Sequence, residues 1–164
     1  MRGGYGGFGA TNPGPIPTPG VPANAGGNAT QGRGIFFTYQ TPSVASLAAG
    51  ASSGAQIIQF DNNSTFTWLR TCVAADIAGA VQTVSSIVVP LVTLQITDTG
   101  NGMSFMNAPI PLEAIAGSAQ LPFILPVPQF IQPNASYSFN FTNYSAATTY
   151  ANLRVQLIGM RVFG

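Results

Sequence analysis

The sequence predicts an all-β fold: a jelly-roll-like β-sandwich of about eight strands carrying an extended Gly/Pro-rich N-terminal arm. Three observations lead there. From Ile35 onward, short runs of β-branched and aromatic residues alternate with turn-forming clusters, as expected of strands that bury one face. Helix-period patterning is almost absent. Glycine and proline are segregated, with 11 of the 19 glycines and five of the 13 prolines inside the first 34 residues, a composition that cannot pack a core. The expected division is an arm over residues 1–34 and a sandwich domain over 35–164.

The arm has two textures. In Pro13-Gly14-Pro15-Ile16-Pro17-Thr18-Pro19-Gly20-Val21-Pro22, proline at nearly every second position fixes φ and favours an extended, polyproline-like path of about 3 Å per residue. Before it, Tyr5 and Phe8 stand in glycine. A disordered tail is the plain reading of such a composition. The sharper one makes Tyr5 and Phe8 plugs for pockets on a neighbouring subunit, each ring contributing about 1.5–3 kcal/mol before the ordering of the glycines is subtracted. The candidate partner-binding residues are therefore Tyr5, Phe8, Pro13, Pro15, Pro17 and Pro19.

The domain reads strand by strand. Ile35–Gln40 opens with aromatic and β-branched residues and stops at Thr41-Pro42. Gln56–Phe60 is a second strand closed by the turn Asp61-Asn62-Asn63-Ser64, and Thr65–Val73 a third, with Phe66, Trp68 and Leu69 as candidate core residues. Thr83–Thr97 is too long for one flat strand, and its Pro90 predicts an edge, a bulge or a break. Asp98-Thr99-Gly100-Asn101-Gly102 is a tight turn expected to return into a strand over Met103–Met106. Ile110–Gly117 suits one helical turn, with Pro111 at a permitted start and Gly117 as its stop. Phe123, Ile124 and Leu125 lie among prolines 122, 126 and 128. Tyr137, Phe139 and Phe141 then share one face at period two, and Leu153, Val155 and Leu157 lead the closing strand to Phe163. An immunoglobulin-like sandwich has a similar number of strands, but long connections and a Pro-rich late strand favour the jelly roll.

Charge is the second informative quantity. Only nine residues are charged: Arg2, Arg33, Arg70, Arg154, Arg161, Asp61, Asp76, Asp98 and Glu113, or 5% of the chain, against about a quarter in an average protein. A formal charge of +1 supplies no basic patch, so no nucleic-acid partner is expected. The absence of histidine removes the commonest general base, the usual nucleophile partners and the usual zinc and iron ligands. The single Cys72 excludes an internal disulfide and a Cys-cluster metal site. No cofactor is expected. A free monomer so poor in charge is weakly protected from self-association, which favours a life inside an assembly. The start Met1–Gly9 has no apolar run of the secretory kind, and nothing approaches the ~18 apolar residues of a membrane span. Synthesis in the cytoplasm and no membrane partner are expected. The Asn-x-Ser/Thr sequons at Asn28, Asn62, Asn63, Asn134, Asn140 and Asn143 then read as turns and strand ends rather than glycan sites.

Four motifs compete for a chemical role. Gly4-Tyr5-Gly6-Gly7-Phe8-Gly9 matches GxGxxG, but no strand precedes it and no helix follows, so it cannot cradle a phosphate. Asp98-Thr99-Gly100, with Leu157-Ile158-Gly159 much later, resembles a retroviral-type aspartic protease, in which a dimer supplies the paired carboxylates. Thr97 stands where that family has an apolar residue and no glycine-rich flap follows, so a hairpin turn explains the same residues. A glycosidase pair would have to come from Asp61, Asp76, Asp98 and Glu113, three of them in or beside predicted turns. A glycan-binding fibre or tail module could use Trp68 and the tyrosines as stacking platforms, although Trp68 inside an apolar strand reads as core. Cys72 reads as a small buried hydrophobe.

The path from Val92–Asp98 through Phe105–Glu113, Gly117–Pro126 and Pro133–Ser136, with the ending Leu157–Phe163, resembles small jelly-roll virion proteins of tailed bacteriophages. The resemblance implies a non-enzymatic capsid cement or decoration subunit. Its partners would be the major capsid protein and further copies of itself, with three-fold assembly the family's habit, and its location the virion surface after synthesis in the host cytoplasm. The arm lies outside the resemblance; its expected role is to interlock neighbours. Without Arg2 and Arg33 the body carries three positive and four negative charges, so attachment should depend on shape and apolar burial and survive high salt.

Overall fold

The structure is a computed structural model that describes residues 33–79 and 88–163. The arm residues Tyr5, Phe8, Pro13, Pro15, Pro17 and Pro19 lie outside the described residues, as does most of the Thr83–Val89 stretch. The described residues are all-β, with eight strands: β1 Gly34–Gln40, β2 Ser52–Gln59, β3 Thr65–Ile77, β4 Val92–Asp98, β5 Ile110–Pro111, β6 Phe123–Ile131, β7 Ser136–Asn143 and β8 Tyr150–Val162. They form two four-stranded sheets, ordered β1-β8-β3-β6 and β2-β7-β4-β5. Every pair of these strands is antiparallel, and the pairs are nested: β1 with β8, β2 with β7, β3 with β6, β4 with β5. β3 with β8 and β4 with β7 close the two sheets.

Alternation builds the core between the sheets. Val92, Leu94 and Ile96 of β4 and Tyr137, Phe139 and Phe141 of β7 are all buried, and Leu94 faces Phe141 while Ile96 faces Phe139 across the ladder. Leu153, Val155 and Leu157 of β8 are fully buried opposite them in the first sheet. Each large side chain removed from water contributes about 1.5–3 kcal/mol. At one side of the sandwich, Tyr39, Phe60, Phe66 and Tyr137 form a ring cluster with centroids 4.6–5.8 Å apart. Arg161 seals it: its guanidinium lies 4.6 Å over the Phe37 ring, pairs with Asp61 at 2.9 Å and donates to Ser64 Oγ at 3.0 Å. The Tyr39 hydroxyl donates to the same Asp61 carboxylate at 2.6 Å. Burial, followed by that hydrogen bond, holds the Tyr39 pKa above its ordinary value.

Several sequence expectations change. β2 and β3 extend beyond Gln56 and Val73, because a shift at Gly54 (φ 69°) and shifts after Trp68 and Ala74 let the ladders continue past irregular points. β4 starts just after Pro90, where the Val92 amide turns back onto the Pro90 carbonyl at 2.9 Å. The expected strand over 103–106 is absent. A single bridge joins Ser104 to Thr97, after which the chain leaves the sheet and Phe105 packs against the Tyr137 ring at 5.0 Å. The expected helical turn is a three-residue 3-10 turn, Leu112–Ala114, and Gly117 does not end it. Instead Gly117 pairs with Cys72 in β3, where an added Cβ would run into the backbone at Leu121–Phe123. β6 includes Pro126 and Pro128 within 125–128, a stretch that has no ladder partner in β3, so the missing amides cost no sheet bond there.

Candidate interaction surface

The outward residues of the first sheet form two rows across its four strands. In one, Phe36, Met160, Thr67 and Phe130 stand side by side; in the other, Thr38, Ile158, Arg70 and Ile124. Phe36, Phe130 and Ile124 are 74%, 69% and 65% exposed, and Val127 of β6 and Leu121 of the loop before it are exposed as well. The register shift between Trp68 and Arg70 creates relief on this face: Leu69 is the extra residue of a bulge. A groove of about 300 Å³ results, lined by Phe36, Leu69, Arg70, Ile158, Gly159 and Met160. Gly159 is required there, because a Cβ would collide with the Thr67 carbonyl and the Phe66 ring. Among the described residues, no carboxylate pairs with Arg70. The face is mostly apolar, with Thr38 and Thr67 in its rows and the Arg70 guanidinium at its groove.

The edges of the sheets differ as well. Prolines interrupt β6, a bulge at Gly54 interrupts β2, and β5 has two residues. β1 has neither proline, bulge nor charge along Gly34–Gln40, and it is the strand into which residues 1–33 lead.

The residues considered for chemistry are dispersed. Asp98 Oδ1 accepts the Gly100 amide at 2.8 Å and its carbonyl accepts that of Gly102, which is the geometry of a hairpin turn. Asp61 is held by Arg161 and Tyr39, Asp76 accepts from Asn152 Nδ2 at 2.9 Å, and Glu113 sits in the 3-10 turn. Among the described residues, no cluster of three acidic or cysteine side chains is arranged to hold a metal ion. Trp68 is core: it is 4% exposed and its Nε1 donates to the Arg70 carbonyl at 2.9 Å. Cys72 is buried, its thiol pKa pushed up by that burial. Of the sequons, Asn62 and Asn63 lie in a turn and Asn134 takes a left-handed turn conformation (φ 64°). Asn140, by contrast, lies within β7. Asn143 is fully buried at the end of β7, its amide donating to the carbonyls of Leu47 and Thr148 and its Oδ1 accepting the Ser145 amide.

Sequence reading did not single out the apolar face. Its signal lay in outward positions such as Phe36, Phe130 and Met160 that break the apolar-in, polar-out rule. No protein-family model matches the chain, and no curated protein matches its sequence. Among the described residues, no helix is long and apolar enough to cross a membrane.

Proposed function

We propose that this protein is a virion structural subunit, a capsid cement or decoration protein that binds a lattice of major capsid protein and stabilises the shell. The observation that carries this reading is the apolar outer face of the first sheet, centred on Phe36, Met160, Phe130 and Ile124. An exposed apolar face of this kind on a protein with 5% charged residues is suited to being covered by a neighbour. The nested pairing of eight strands supports treating the sandwich as a jelly roll, an architecture common in capsid proteins. The residues before β1 act as an interlocking arm, with Tyr5 and Phe8 as anchors and Pro13, Pro15, Pro17 and Pro19 holding it extended. Copies assemble with one another, as a trimer, on the shell.

Mass spectrometry of purified particles tests the role: a copy number in the hundreds is expected, and absence from particles overturns it. A chain lacking residues 1–34 should keep the circular dichroism of a β-sandwich yet fail to stay on particles. Undiminished occupancy would remove the arm from the mechanism. Attachment of the full chain should persist in 1 M salt, where a bond built on ion pairs would weaken over a Debye length of about 3 Å.

A further inference from the structure

The ring cluster packs one side of the sandwich tightly; the other side does not close. There β5 has only two residues and β6 is irregular between Ile124 and Gln129, where Pro126 and Pro128 interrupt its pairing with β3. Between the sheets at this side lies a cavity of about 400 Å³. Trp68, Thr71, Leu125 and Gln129 line it from the first sheet, Ile96 and Ile110 from the second, and the 105–115 connection covers it. Among the described residues, none that lines it is charged. The Thr71 hydroxyl is the unexplained group. Thr71 is 1% exposed, and its Oγ1 has no hydrogen-bond partner among the described residues. Buried hydroxyls are nearly always bonded, because leaving one unpaired forfeits its hydration.

We propose that this cavity is a binding site for a neutral, mostly apolar small molecule bearing one hydroxyl or carbonyl group. The apolar walls accept an alkyl or ring body, and the polar end meets the Thr71 hydroxyl and the Gln129 amide. An anion is disfavoured because no cation lines the cavity to offset its desolvation. The volume falls in the range of small-molecule sites, about 300–1,000 Å³. The site is independent of the outer face, so it stands or falls apart from the proposed shell role.

Trp68 is the sole tryptophan, so the emission of the intact full-length protein reports occupancy directly. Titration with 1-decanol should give a saturable change in Trp68 emission and a concentration-dependent rise in Tm, with decanoate at least tenfold weaker. Thr71→Val should weaken 1-decanol at least threefold, and Ile115→Trp should fill the space and abolish the Tm rise. Tm measured without ligand verifies that each variant is folded. Phe36→Ser with Phe130→Ser should leave the titration unchanged. No saturable response, equal binding of decanoate, or loss of the response in the outer-face variant would overturn the proposal. So would an experimental structure holding only an ordered water on Thr71.

Discussion

The two sheets share one core and one alternation, yet their outer faces are opposites. Across the second sheet the outward rows are Ile57, Ser138 and Thr97, then Ala55, Asn140 and Gln95, then Thr142 and Thr93. Ile57 is the only large apolar residue in them. Across the first sheet the equivalent positions hold Phe36, Met160, Phe130, Ile158 and Ile124, with Thr38, Thr67 and Arg70 between them. An antiparallel sheet facing water on one side normally puts polar residues outward, and the second sheet obeys. The first departs from that rule, with apolar side chains outward at Phe36, Met160, Phe130, Ile158 and Ile124, so the sandwich has a front and a back.

The largest expected effect is on the scaffold that holds that front. Gly159→Val forces a side chain against the Thr67 carbonyl where β3 and β8 approach, and should cost about 3 kcal/mol or more by the overpacking mechanism. Urea denaturation measures it. Thr97→Val, outward on the second sheet, should stay within about 0.5 kcal/mol. Equal losses would show that the close approach on the first sheet has no special cost.

A second contrast separates adhesion from stability. Phe36→Ser with Phe130→Ser should reduce occupancy on particles at least tenfold while leaving urea stability nearly unchanged, because both side chains are mostly exposed. Ile57→Ser on the second sheet should leave occupancy intact. Matching losses from the two faces would erase the distinction between them.

The smallest effect is alkaline. Tyr39 in the first sheet and Tyr137 in the second are both raised above 10.0, chiefly by burial. An acid whose folded pKa is raised binds its proton more tightly folded than unfolded. Its contribution is fully present below the unfolded value of about 10 and is lost as pH rises through the folded value. Tm should therefore decline above about pH 10, with an earlier onset from Cys72, whose thiol is raised above 9.0. Tyr137→Phe should flatten part of that decline and barely alter Tm at pH 7. Tyr39→Phe should also cost about 1 kcal/mol at pH 7, because it loses the bond to Asp61. An undiminished alkaline decline in Tyr137→Phe, or equal stability of the two variants at pH 7, would contradict this assignment.

Most of the strands were legible because inward alternation is a local signal. Tyr137, Phe139 and Phe141 announced β7, and Leu153, Val155 and Leu157 announced β8. Met103–Met106 misled because the turn at Asp98–Gly102 is real while the return strand is a single bridge. Gly117 looked like a helix stop for the same reason: local preference cannot see Cys72 coming to pair with it. Trp68 and Cys72 were read as buried, and they are.

Composition and period, which are properties of neighbouring residues, determined by themselves the all-β class, the low charge and the inward-facing set. Tertiary structure alone decided which outward residues meet. Phe36, Met160 and Phe130 lie far apart in the chain and become one row only because nested pairing sets β1, β8, β3 and β6 side by side in a fixed register. The same long-range pairing placed Gly159 against Thr67, buried Asn143, and left the β5–β6 side open around Thr71. Register is set by contacts between distant segments, and one residue of slip would turn every side chain to the other face.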